Sequence, residues 1–115
     1  MNQIKHKIYA TTDHLHNELD KAHALKKELD FDEELGSLIA TTTRIKILKE
    51  FIKIFKLAKN NKKNEILEKM SALTKRCKLH FYQLKKLQTE NYVDNVMYFT
   101  TLMKVVYSLI INLNK

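Results

Sequence analysis

A chain of 115 residues has room for one hydrophobic core and not for two. It contains no proline and a single glycine, Gly36, which excludes turn-rich β architectures and the glycine-rich loops that cradle nucleotides. The formal charge of +8 is unevenly placed: five lysines stand against eight acids in residues 1–43, fourteen Lys or Arg against three acids in residues 44–88, and two against two thereafter. A basic stretch of that density points to a polyanionic partner, either nucleic acid or an anionic membrane surface, though a lysine-rich solvated face would look the same.

The lone Cys77 has no partner for an internal disulfide, which fits a reducing compartment. The opening MNQIKHKIYATTDH lacks the apolar run and small-residue cleavage site of a secretory signal, so the expectation is a cytoplasmic protein. Leucine, isoleucine and lysine recur at helical spacing throughout, and the pattern predicts a single all-α domain over 1–115, an antiparallel four-helix bundle.

The first helix is expected over Asn2–Leu29, with Ile4, Ile8, Leu15, Leu19, Ala22, Leu25 and Leu29 as its apolar line. Asp30-Phe31-Asp32-Glu33-Glu34 breaks the pattern and offers an N-cap and first-turn acids to the second helix. That helix runs to Lys59. Leu38, Ile45, Ile47, Leu48, Phe51, Ile52, Ile54, Phe55 and Ala58 give it an apolar arc of roughly 180°, wider than one stripe, with Lys46, Lys49, Lys53 and Lys56 opposite.

Asn60–Asn64 reads as a polar turn. In the third helix, to Leu87, the steps Ile66, Met70, Leu73, Cys77, His80, Leu84, Leu87 alternate four and three, as a bundle seam requires. Lys75, Lys78, Tyr82, Lys85 and Lys86 share its opposite face. After Gln88–Asn91 the fourth helix is apolar nearly all round, from Val93 and Val96 to Ile111 and Leu113. Lys104, Asp94 and scattered Asn, Ser and Thr argue against a membrane span. The expectation is a helix central to the bundle or covered by a second subunit, hence a homo-oligomer.

Three clusters invite chemistry. Asp13, His16, Asp20 and His23 share one side of the first helix, but one helix seldom supplies a full metal-ligand set, so they read as boundary polar residues. Thr12, His16, Leu19 and Asp20 also fit the opening of haem oxygenases, whose glycine-rich distal helix has no counterpart in a chain with one glycine. Cys77 and His80 lie on the seam, where a histidine satisfied by a polar neighbour is the common case. No nucleophile stands beside a base and an orienting group. The expectation is a non-enzymatic protein without metal or cofactor.

The basic surface remains. A short turn makes the second and third helices antiparallel neighbours, so Lys53, Lys56, Lys59, Lys62, Lys63, Lys75, Lys78, Lys85 and Lys86 can join into one band for phosphates. Tyr82, among them, can stack on an unpaired base.

From Arg44 to Lys115, the stretches RIKILKEFIKIFKLAKNNKKNEILEKMSAL and LHFYQLKKLQTENYVDNVMYFTTLMKVVYSLIINLNK resemble the four-helix-bundle family of proteins encoded in 23S rRNA intervening sequences. The likeness is greatest to its branch of accessory variability determinants of diversity-generating retroelements. Leu57-Ala58 before a polar turn, the entry Asn91-Tyr92 and a short basic tail carry it. The resemblance implies a basic, ring-forming, pentameric and non-enzymatic subunit that binds a reverse transcriptase and its template RNA, or the RNA–DNA hybrid made from it. The rival expectation is a bacteriocin-immunity-like interaction protein that lays IKILKEFIKIFKLAK on an anionic membrane.

Overall fold

The computed structural model describes the backbone of residues 2–113 and the side chains of residues 7–112. The side chains of Ile4 and Leu113 and the basic tail at Lys115 therefore lie outside the described residues. Four helices follow one another: α1 (Asn2–Glu28), α2 (Leu35–Lys59), α3 (Lys63–Lys86) and α4 (Tyr92–Leu113). They form an all-α four-helix bundle 51 Å long and 23 × 21 Å across.

The helix ends explain how a chain with one glycine turns corners. At the end of α2, Asn61 takes a left-handed φ of 56°. Its N–H then donates to the Ala58 carbonyl at 3.2 Å, and the Lys62 N–H donates to Leu57 at 2.9 Å. These two bonds close a Schellman motif and satisfy carbonyls that the helix leaves free. α3 ends the same way. Gln88 has a φ of 53°, and the N–H groups of Gln88 and Thr89 donate to Lys85 and Leu84.

The acidic stretch before α2 is used differently from the expectation. The Asp30 carboxylate accepts the Asp32 and Glu33 N–H groups, and Glu34 Oε2 accepts the Asp30 N–H at 2.8 Å. The acids thus hold their own turn together, and the first turn of α2 contains none of them. An Asp oxygen that accepts the N–H groups two and three residues on serves turns and helix starts alike, and here it closes the turn ahead of α2.

The breadth of the apolar arc on α2 has a direct structural meaning: α2, not α4, is the central helix. It packs on α1, α3 and α4. Ile45, Ile47, Leu48, Phe51, Ile52, Ile54, Phe55 and Ala58 are all buried, and Leu38 is half-buried. At about 1.5–3 kcal/mol for each large side chain removed from water, α2 dominates the core. The seam of α3 is buried from Ile66 through Leu84, whereas Leu87 lies past the helix end and is exposed. α1 contributes Ile8, Leu15 and Ala22, while Leu25 stays exposed.

The fourth helix is not the central one. Phe99, Leu102, Val106, Leu109 and Ile110 are buried against α2 and α3, but Val93, Met97 and Ile111 are each more than 60 % exposed. Between α4 and α1 lies a cleft of about 550 Å³ lined by Ala10, His14, Met97 and Val105, among others. The bundle is closed on the α2 side and open along the α1–α4 seam.

Candidate nucleic-acid interface

Because α2 is enclosed by three helices, little of its circumference meets solvent. The exposed positions Lys46, Lys49, Lys53 and Lys56 lie within one narrow stripe by helical geometry. α3 has a broader free face, where Lys75, Lys78, Tyr82, Lys85 and Lys86 are all exposed. In the turn between them Lys62 is exposed, and Lys63, the first residue of α3, is partly buried.

Gly36 lies against Leu87, with an added Cβ only 2.6 Å from its side chain, and this pair fixes the antiparallel register of α2 and α3. Counting from it at about 1.5 Å per residue, Lys46 and Lys49 fall level with Lys75 and Lys78. Lys53, Lys56 and Lys59 fall level with the first half of α3, where Glu65 and Glu68 are exposed. By height along the bundle the predicted lysines fall into two groups, one near the α2–α3 turn and one at the middle of both helices. Lys85 and Lys86 extend the second along α3.

Several lysines have neighbours. Lys53 Nζ is 3.5 Å from Glu50, an exposed pair of small energetic weight. Lys59 Nζ lies 4.7 Å from the Tyr9 ring centroid, which draws it toward α1. Lys86 Nζ lies 5.5 Å from the Tyr82 ring, and Tyr82 is 60 % exposed. Tyr82, Leu79 and Lys86 border a shallow groove of about 320 Å³ with Ile39 and Gly36 of α2. A flat aromatic, partly accessible and flanked by cations, provides both stacking and charge.

The side chains singled out on α1 have no such assembly. Asp13, His16, Asp20 and His23 are exposed, and among the described residues no three His, Cys, Asp or Glu converge as metal ligands.

Inside the bundle, the four helices bring together polar groups that no single stretch of sequence displays. Arg44 of α2 donates through Nη1 to Asn95 Oδ1 of α4 and faces Glu18 of α1, Nη2 to Oε2 at 3.6 Å. Its guanidinium lies 5.0 Å from the Phe99 ring centroid and 5.5 Å from that of Tyr98. Burial works against its charge, while Tyr98 and Glu18 favour it. His80 of α3 is 1 % exposed, and neither ring nitrogen has a hydrogen-bond partner among the described residues. Burial, and then the positive charge of Arg44, push its pKa down to about 4. The expected polar companion of His80 is therefore absent from the described residues.

Burial raises the Cys77 thiol to about 11, which leaves it poorly suited as a nucleophile. No helix among the described residues is long and apolar enough to cross a membrane. Comparison with known proteins finds no matching family model, no matching curated protein and no matching solved structure.

Proposed function

We propose that this bundle is a non-enzymatic accessory protein that grips the phosphate backbone of RNA or an RNA–DNA hybrid with the free faces of α2 and α3. The observation that carries this reading is the placement of charge. Two adjacent antiparallel helices turn their lysines outward, with Tyr82 exposed among them. Phosphate recognition needs cations that can approach the strand, and stacking adds affinity on single strands with little sequence preference.

The fate of the apolar arc on α2 favours this reading over the membrane one. An amphipathic helix binds a lipid surface with its apolar face, and on α2 that face is occupied by the core. Over residues 45–59, the stretch in question, what α2 offers to a partner is chiefly lysine.

The likeness to retroelement accessory proteins adds a reverse transcriptase and its template RNA as partners, and a pentameric ring as the assembly, in a cytoplasmic setting. The open α1–α4 seam, lined by the exposed Met97, supports association of copies through that side, and Val93 and Ile111 add exposed apolar surface on α4. Such association leaves the lysine faces outward. Fluorescence anisotropy with labelled single-stranded RNA, an RNA–DNA hybrid and duplex DNA across a salt series tests the function. Binding should weaken linearly on logarithmic axes, by about −0.7 to −0.9 for each phosphate neutralised. No binding even at low salt would refute it.

A further inference from the structure

The polar cluster, half-buried except for the buried His80, borders a cavity that the lysine surface does not explain. It lies at the α3–α4 end of the bundle, about 280 Å³ in volume, and its wall includes Ser37, Thr41, Arg44, His80, Asn91 and Asn95. The wall holds one permanent cation and, among the described residues, no carboxylate, and Leu84 and Leu87 give it an apolar side. Among the described residues Glu18 is the only acid paired with Arg44, at a long 3.6 Å, and it is not part of the wall.

His80 is the informative member. A neutral imidazole presents one N–H donor and one acceptor, and leaving both unmade in the interior is costly. Its ring is flanked by Phe81 and Phe99, with centroids 6.5 and 5.7 Å away, and these rings offer no hydrogen-bonding edge. The polar groups near it line the cavity. Arg44 uses two of its five N–H donors on Asn95 and Glu18, so others remain.

The geometry points to a binding site for a small carboxylate with a short aliphatic body, held between Arg44 and His80. One carboxylate oxygen accepts from the guanidinium; the His80 nitrogens are covered in this fold, and a small turn of the ring brings its N–H to the other oxygen. The hydroxyl of Thr41 and the amide of Asn91 stand on the same wall, and Leu84 and Leu87 cover the alkyl chain. Charge-assisted bonds to a planar fork suit a carboxylate better than a chloride or an alcohol. At about 280 Å³ the cavity is nearly twice the roughly 150 Å³ that holds a benzene ring, so a short-chain carboxylate enters with room for water beside it. The site is separate from the lysine faces, and the nucleic-acid reading does not depend on it.

The test is an NMR titration of the full chain with butyrate at fixed ionic strength and without RNA, followed at the His80 ring, the Arg44 Nε–H and the Asn95 side-chain amide. Saturable shifts at all three are expected, with butyramide and chloride giving none. Two variants examine the donors separately: His80→Phe and Thr41→Val, each checked for native helicity. His80→Phe should weaken butyrate at least tenfold and Thr41→Val severalfold. The wild-type titration decides the matter even if a variant fails to fold. Shifts that never saturate, that chloride reproduces, or that map to Lys75 and Lys78 would overturn the site, as would unchanged affinity in a folded His80→Phe protein.

Discussion

His80 of α3 meets Phe99 of α4 edge to face, ring centroids 5.7 Å apart at 76°, in surroundings that resist its protonation. The groups that face it are Arg44 of α2, with Glu18 of α1 and Tyr98 of α4 behind the guanidinium. Its folded pKa, about 4 against 6.5, is depressed, so between those values the unfolded chain binds the extra proton. Stability is therefore highest above pH 6.5 and declines as pH falls toward 4, by an amount on the order of 3 kcal/mol. Urea unfolding over that range, in a buffer free of carboxylates, should give this slope. His80→Phe, which replaces the titrating ring with a somewhat larger apolar one, should flatten that contribution.

The left-handed residues at the helix ends give a second prediction. Gln88, at φ 53°, has a backbone conformation that glycine adopts without steric cost. Gln88→Gly should stabilise the fold by roughly 0.5–1 kcal/mol, read as a higher urea midpoint with an unchanged m-value. Asn61 at φ 56° should respond less, because asparagine tolerates this region better than glutamine.

These two sites also mark what the sequence can and cannot disclose. The seam on α3 is legible from Ile66 to Leu84 because a regular four-and-three alternation has one geometric solution. The arc on α2 is legible as broad, but periodicity cannot say which neighbour covers each side. For that reason hydropathy alone leaves α4, the more apolar helix, either at the centre or under a second subunit, and the structure gives the centre to α2. The grouping of Arg44, Glu18, His80 and Asn95 is hidden altogether. They lie on separate helices, and no local spacing connects them. The acids at Asp30–Glu34 announce a boundary correctly, yet whether they cap a helix or their own turn depends on φ and ψ.

Cys77 provides a third prediction. It is 1 % exposed, and burial raises its pKa, so a thiol reagent should label it only as fast as the bundle opens. Labelling should accelerate with urea in parallel with unfolding. Rapid native-state labelling would mean that the α3–α4 seam is loose.

The exposed apolar residues of α4 yield a fourth. Multi-angle light scattering should report an assembly larger than one chain, and Met97→Glu beside the α1–α4 cleft should shift it toward monomer while helicity persists. A clean monomer of the unaltered chain at high micromolar concentration contradicts association through this seam.

The most direct test of the nucleic-acid reading is reversal of charge on the free face of α3. Lys75, Lys78 and Lys85 are exposed and lie off the buried seam, so replacing all three with glutamate should leave the circular dichroism and unfolding midpoint close to those of the parent chain. Affinity for RNA of any sequence should fall together, and the log–log salt slope should become shallower by about 0.7 to 0.9 for each phosphate that is no longer neutralised. Tyr82→Ala should weaken single-stranded RNA more than duplex, since stacking needs an open base face. If the triple reversal binds RNA with the affinity and salt slope of the parent, the lysines are a solvated surface and the proposed function is wrong.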